Sequence, residues 1–125
     1  MIFLDIEDLL YIAERATGAP VEVRDIGLLE SAAARPRSSA FGADAYPTVH
    51  DKVAALLHSI VRNHALVDGN KRLGLAAVIA FYGLNGRRLR MTNDDAYDFV
   101  MAVASGEVVE IDEIAQRLQG ANETH

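Results

Sequence analysis

The chain has 125 residues, contains no cysteine and carries a formal net charge of −6. Its length predicts one domain with its own core, and the lack of cysteine excludes disulfides and thiolate metal sites. An acidic surface repels nucleic-acid backbones, and no apolar run approaches the roughly 20 residues of a membrane helix, so we expect a cytoplasmic protein that binds neither nucleic acid nor membrane.

Two helices are predicted before the first proline-rich segment. Asp5 is a good N-cap for the first helix, whose apolar stripe ends before Gly18. The second helix is predicted from Asp25 to Ala34, because the residue before Pro36 avoids the helical conformation.

A loop is predicted at residues 36–47, which contain two prolines and one glycine and show no apolar period. The loop carries two aromatic residues, Phe41 and Tyr46. These side chains either anchor the loop on the core, which is the interpretation we favour, or contact a bound macromolecule as part of a target-docking loop.

Two long helices are predicted on either side of the next polar stretch. Thr48 opens the first helix, and its buried stripe stops at His64. Asn70 is a good N-cap for the second helix, at residues 70–85. That helix is apolar on nearly all sides, which predicts a central position in the domain.

A short extended segment is predicted at residues 87–91, a helix at 92–106 and a last helix at 112–118. The sequence therefore predicts an all-α fold. We expect a single compact domain at residues 1–120, with about six helices around the central apolar helix, followed by a flexible C-terminal tail at 121–125.

The polar stretch between the two long helices suits phosphate chemistry. A helix N-terminus exposes unpaired N–H groups, Gly69 lets the backbone approach a ligand, and Lys71 and Arg72 add two cations. Asp68 would repel a phosphate unless the two shared a cation such as Mg²⁺. His64 lies one short loop away, and the ordinary pKa of histidine suits a general base acting on a hydroxyl.

We interpret this conjunction as a phosphoryl- or nucleotidyl-transfer site. Each part alone is more often structural. Asp68, Gly69 and Asn70 form an ordinary turn and cap, a basic first turn is usually solvated, and a histidine at a helix end is usually a C-cap. The conjunction of all the parts is much rarer by chance.

The segment from His64 to Arg72 resembles the signature of the Fic/Doc (Fido) superfamily, His-x-Phe-x-Asp/Glu-Gly/Ala-Asn-Lys/Gly-Arg. Leu66 stands where the family usually has Phe, and Leu73 where Doc proteins commonly have Thr. Within the superfamily, the chain is most similar to the death-on-curing (Doc) toxins of Phd/Doc toxin–antitoxin pairs. The similarity covers most of the chain and implies the Fido fold.

The resemblance implies roles for the site residues. His64 corresponds to the general base, Asp68 to the metal ligand, and Asn70, Lys71 and Arg72 to phosphate binding beside Gly69. Lysine at position 71 is associated with γ-phosphate transfer, whereas AMP-transferring Fic proteins have glycine there. The implied activity is phosphorylation of a threonine of EF-Tu, with ATP or another nucleoside triphosphate and Mg²⁺, which arrests translation. AMP transfer is the alternative.

Inhibition in trans is a further implication. Many Fic proteins contain a helix with the pattern Ser/Thr-x-x-x-Glu-Gly/Asn, which this sequence lacks, so a Phd-type antitoxin is expected to bind an apolar groove through its C-terminal segment. The resemblance also implies that loop 36–47 aligns the target segment. A second alternative is a non-catalytic module that binds a nucleotide or a partner.

Overall fold

A computed structural model of the chain describes residues 1–124, and α-helices account for most of them. The helices found in these residues are α1 (Ile6–Thr17), α2 (Ile26–Ala34), α3 (Val49–Asn63), α4 (Asn70–Leu84), α5 (Asn93–Ser105) and α6 (Ile111–Gly120). The predicted all-α fold with about six helices in one domain is confirmed. None of the helices within residues 1–124 is long and apolar enough to span a bilayer.

The helices begin where their capping residues predict. Asp5 caps α1, and its side chain and that of Asp8 each accept a hydrogen bond from the other's backbone N–H, at 2.8 and 2.9 Å. Thr48 and Asp51 form the same reciprocal box at α3, and Thr92 caps α5. These contacts are local in sequence, which is why the helix starts could be predicted.

Helices α3 and α4 form the centre of the core. They approach closely at Gly74, where a Cβ atom would come within 2.6 Å of the Val61 side chain. Helix α3 is the more enclosed of the two, with ten of its 15 residues buried, compared with seven of 15 in α4. Helix α4, predicted to be the central apolar helix, is central but leaves Ile79 and Leu84 about half exposed.

A β-hairpin lies within the predicted loop at 36–47. It follows a 3₁₀ turn at Arg35–Arg37 and consists of β1 (Ser39–Ala40) and β2 (Ala43–Asp44). Its tip is formed by Phe41 and Gly42, which both have positive φ values, 53° and 80°. Strands of two exposed residues show no apolar alternation, so the sequence pattern did not predict them.

A second short sheet joins the C-terminal segment to the middle of the chain. Strand β3 (Arg87–Leu89) lies in the segment predicted as extended and pairs antiparallel with β4 (Asn122–Thr124). The sequence predicts a flexible tail at 121–125, whereas three of these residues pair with β3; residue 125 lies outside the described residues. The pairing depends on the backbone edge of β3, which local composition does not reveal.

Candidate active site

The loop that joins α3 to α4 is hydrogen-bonded to the segment that precedes α2. The Ala65 carbonyl accepts hydrogen bonds from the backbone N–H groups of Arg24 (2.8 Å) and Asp25 (3.0 Å). Val67 donates to the Glu22 carbonyl at 2.9 Å, and an isolated β-bridge lies between these bonds. The loop is therefore fixed by backbone contacts to a distant part of the chain.

Asn70 holds the same loop from inside. Its Nδ2 donates to the Leu66 carbonyl at 2.9 Å, and its Oδ1 accepts from the Leu66 N–H at 3.0 Å. The N-cap of α4 is Gly69, so the prediction of Asn70 as N-cap is wrong. The side-chain amide bonds to Leu66 and therefore makes no capping bond to α4. Asn70 thus contributes its backbone N–H, and not its side chain, to the N-terminus of the helix.

Gly69 is required at its position for two reasons. Its φ is +92°, in the left-handed region that favours glycine. A Cβ atom there would also come within 2.9 Å of the Thr17 Cγ2 at the end of α1. The Gly69 N–H donates to Asp68 Oδ1 at 2.9 Å, which leaves the other oxygen of this exposed carboxylate without a partner from the turn.

A cleft of about 570 Å³ opens at the N-terminus of α4, beside α5. The structure brings six sequence-predicted site residues together along its wall: His64, Asp68, Gly69, Asn70, Lys71 and Arg72. The cleft therefore combines an imidazole, a carboxylate, two cations and the unpaired N–H groups of a helix terminus.

The two cations are available for a ligand. Lys71 and Arg72 are exposed, and among the residues that the structure describes their side chains have no hydrogen-bond or ion-pair partner. The carboxylate in the lining set is Asp68, which accepts one bond at one oxygen. One carboxylate that shares a cation with ligand phosphates is a donor set that suits Mg²⁺, so these residues fit the implied metal.

Helix α5 provides a wall of the cleft that the sequence pattern did not predict. Asn93, Tyr97 and Met101 line the cleft together with Val100 and with Leu75 of α4. Tyr97 and Met101 are four residues apart and therefore share a helix face. That spacing is visible in the sequence, but the element that a helix face packs against is decided by tertiary packing.

The two aromatic residues predicted in the loop lie at opposite ends of the hairpin. Tyr46 anchors the hairpin, because its hydroxyl accepts a hydrogen bond from Arg35 Nε at 2.9 Å and its ring lies 5.4 Å from that guanidinium. Phe41 is fully exposed at the tip. Neither residue lines the cleft.

The base of the hairpin is held by a polar network on α3. Arg35 bonds to His58 Nδ1 (3.0 Å) and donates to Ser59 Oγ (2.9 Å). Burial, with the nearby charges of Arg35 and Arg62, lowers the pKa of His58. Lys52, whose side chain is buried, pairs with Asp44 at 3.3 Å and also donates to the Tyr46 carbonyl.

The chain is similar in sequence to proteins of one known family. A profile of the Fic/DOC family matches residues 3–82, which include α1 to α3, the loop and most of α4. The protein "Toxin Doc" of Mycolicibacterium smegmatis is 47% identical to the chain over 120 residues, which cover 94% of this chain and 92% of that protein.

Proposed function

The chain belongs to the Fic/DOC family, and we propose that it is a Doc-type toxin that phosphorylates a protein hydroxyl. The observation that carries the proposal is the convergence of a histidine, a carboxylate and two cations on one cleft at a helix N-terminus. The relative named Toxin Doc supports the assignment as the toxin of a toxin–antitoxin system. By the resemblance, the target is a threonine of EF-Tu, whose modification arrests translation in the cytoplasm.

In this proposal, the phosphates of ATP, or of another nucleoside triphosphate, bind at the N-terminus of α4. The first-turn N–H groups, Lys71 and Arg72 contact the phosphate oxygens, and Asp68 holds Mg²⁺ together with them. When bound, the metal neutralises phosphate charge that develops during transfer. The apolar side chains of Leu75 and Met101 provide a surface for the nucleobase, beside the exposed ring of Tyr97.

The proposed reaction is a direct transfer. The imidazole of His64 accepts the proton of the target hydroxyl as its oxygen attacks the γ-phosphorus. The new oxygen–phosphorus bond forms as the bond to the β-phosphate oxygen breaks, and the nucleoside diphosphate leaves. Lysine at position 71, where AMP-transferring relatives have glycine, supports γ-phosphate transfer rather than AMP transfer.

The hairpin is proposed to dock the target. Phe41 presents a fully exposed aromatic ring at the tip, and such rings are frequent anchors in protein interfaces. Tyr46 and Lys52 hold the hairpin base against α3, so the tip is presented on a fixed support. We expect Phe41→Ala to raise the KM for the target protein and leave nucleotide affinity unchanged.

The deciding experiment uses purified protein, EF-Tu and ATP labelled separately at the α- and γ-phosphates. We expect γ-label in EF-Tu, whereas α-label would show AMP transfer and overturn the proposal. His64→Ala should reduce transfer by about 10²–10⁴-fold and retain nucleotide affinity, because it removes the base alone. Unchanged growth arrest by His64→Ala in cells would instead favour a non-catalytic binding module.

Two variants test the donor site. Arg72→Ala should weaken nucleotide binding by about 1.5–3 kcal/mol, the usual loss for a charged hydrogen bond. Arg117→Ala is the matched control, because Arg117 is an exposed arginine on α6 that pairs with Glu113.

Asp68→Asn should lower Mg²⁺-dependent transfer, and transfer that persists without metal would contradict the role of Asp68.

A Phd-type antitoxin is proposed to bind the groove beside the cleft. The groove has a volume of about 300 Å³ and runs between α4, β3 and the start of α5. It shares Leu75 with the cleft, and Ile79 and Met91 line it together with the exposed Arg88. Apolar side chains beside a cation suit an amphipathic segment with acidic residues.

Substitution of Ile79 tests the antitoxin site. Ile79→Glu should weaken binding of the antitoxin and leave phosphate transfer intact, because it places a charge in the apolar part of the groove. Leu84→Glu is the control, since Leu84 is on the same helix and similarly exposed but lies outside the groove. Equal binding by the two variants would exclude this groove.

A further inference from the structure

The side chain of Arg24 lies against the C-terminus of α3. Its Nε donates to the His64 carbonyl at 2.8 Å, and one terminal nitrogen donates to the Asn63 carbonyl at 3.0 Å. These carbonyls belong to the last turn of a helix, which has no further helical N–H groups to pair with them. A planar guanidinium suits two neighbouring acceptors because its donors diverge in a fixed fork.

His64 needs such support because of its backbone conformation. It has φ 52° and ψ 53°, in the left-handed region that residues with a side chain seldom adopt. Such a conformation persists only where surrounding contacts over-determine it. Here Arg24 contacts three consecutive carbonyls, since its own backbone N–H also donates to Ala65.

The backbone of His64 sets the direction of its side chain into the cleft. Arg24 itself does not line the cleft, so it has no direct contact with a ligand bound there. Arg62 makes a comparable bond, because it donates to the Ala104 carbonyl at 3.0 Å, at the end of α5, and neither Arg62 nor Ala104 lines the cleft.

We propose that Arg24 is a positioning residue that fixes the backbone of His64 and so directs its imidazole toward the reacting hydroxyl. The effect on turnover rests on the proposed function, whereas the effect on the orientation of His64 does not. Arg24 acts through the backbone at and beside His64 and does not line the cleft, so its loss changes catalysis and leaves nucleotide binding unchanged.

The test compares Arg24→Ala, which removes two arginine bonds to carbonyls at the end of α3, with Arg62→Ala, which removes one such bond to the end of α5. In the ligand-free protein, the ¹H–¹³C NMR signals of the His64 ring should shift or split in Arg24→Ala and stay unchanged in Arg62→Ala. For transfer, Arg24→Ala should lose about 100-fold in kcat, the cost of a misplaced catalytic group, with the KM for the nucleotide within about twofold. Ethylguanidinium should restore part of this rate in Arg24→Ala.

Several results would overturn the proposal. One is that the His64 signals stay unchanged in Arg24→Ala. Another is that Arg24→Ala and Arg62→Ala lose kcat to the same extent for the same loss of stability. Arg24→Lys provides a second variant in case the alanine variant does not fold. The single ammonium of lysine can bond well to one carbonyl, so the kcat of Arg24→Lys should be intermediate. If Arg24→Lys has the kcat and the His64 signals of the wild type, the two diverging donors of the guanidinium are not required.

The design separates this proposal from the proposed function. If the wild-type protein transfers no phosphate, the proposed function fails, but the NMR comparison of Arg24→Ala with Arg62→Ala still decides whether Arg24 orients His64. If the wild type is active and the ring signals do not respond to Arg24, the positioning role alone is wrong.

Discussion

The loop between α3 and α4 and the hairpin at 36–47 both connect helices, and both contain residues with predicted functions. The middle of the α3–α4 loop is buried, with Ala65 and Leu66 only 3% and 1% exposed. It is bonded on one side to the segment before α2 and on the other to Asn70. Among residues 1–124, the side-chain contacts that hold the hairpin lie at its base, and the Phe41 ring at its tip is fully exposed.

This difference follows from what each segment is proposed to do. A transfer site requires its base, cations and metal ligand to keep fixed positions, because small displacements of reacting groups are costly in rate. A docking element instead has to present an uncovered side chain to a partner. We therefore expect substitutions in the α3–α4 loop to affect stability strongly, and those near the hairpin tip to affect it little.

The largest expected effect is that of Asn70→Ala. The change leaves the N–H and the carbonyl of buried Leu66 without their partner, at a cost of about 2–3 kcal/mol in the free energy of unfolding. Urea denaturation measures this loss. Asn93→Ala is the control, because Asn93 lines the same cleft but is exposed. Similar stability of the two variants would contradict the role of Asn70 in holding the α3–α4 loop.

Gly69→Ala should cost about 1–3 kcal/mol, because it combines positive φ with a contact to Thr17. Adding Thr17→Ser removes the methyl group in contact and should recover part of the loss. By contrast, Gly83→Ala should gain about 0.5–1 kcal/mol, since Gly83 lies within α4 with open space around a Cβ. Thermal or urea unfolding compares the three, and full recovery in the double variant would show that the φ value imposes no cost.

Tyr46→Phe should cost about 1 kcal/mol by removing the hydrogen bond from Arg35. Hydrogen exchange should then become faster for the hairpin amides and stay unchanged for the α3–α4 loop. Phe41→Ala, at the exposed tip, should change stability by less than about 0.5 kcal/mol. A larger loss for Phe41→Ala than for Tyr46→Phe would reverse the assignment of anchor and tip.

The smallest expected effect is a loosening of the hairpin base by acid. Because the pKa of His58 is lowered in the folded state from its ordinary 6.5, the unfolded chain takes up the proton first as the pH falls. The stability contributed by neutral His58 is thus present above pH 6.5 and is lost as the pH falls below that value. His58→Gln keeps an acceptor for Arg35 without titrating.

The comparison requires unfolding measurements on both proteins at about pH 7 and about pH 5. The wild type should lose more stability over this interval than His58→Gln. Burial also lowers the pKa of His50, which is hydrogen-bonded to Tyr82, so both proteins retain that common pH dependence. Equal losses of stability in the two proteins would show that His58 does not contribute to the loss of stability in acid.

The structure also shows which predictions were accessible to local reasoning. Helix starts at Asp5, Thr48 and Thr92 were predicted correctly because a cap and its partner are three residues apart. The same reasoning gave a wrong role to Asn70, since a good capping side chain can also bond to a loop behind it. The hairpin and the pairing of β4 were missed because neither has a periodic apolar pattern.

The sequence by itself determined the order of chemical groups from His64 to Arg72, the helices that flank them, and the positive φ of Gly69, because these depend on neighbours within a few residues. Only the tertiary structure decided that α5 forms a wall of the cleft and that Tyr46 is an anchor while Phe41 is exposed. It also placed Arg24 on a carbonyl 40 residues away in the chain. Contacts between residues this far apart depend on how the helices pack, and the local spacing of residues does not determine that packing.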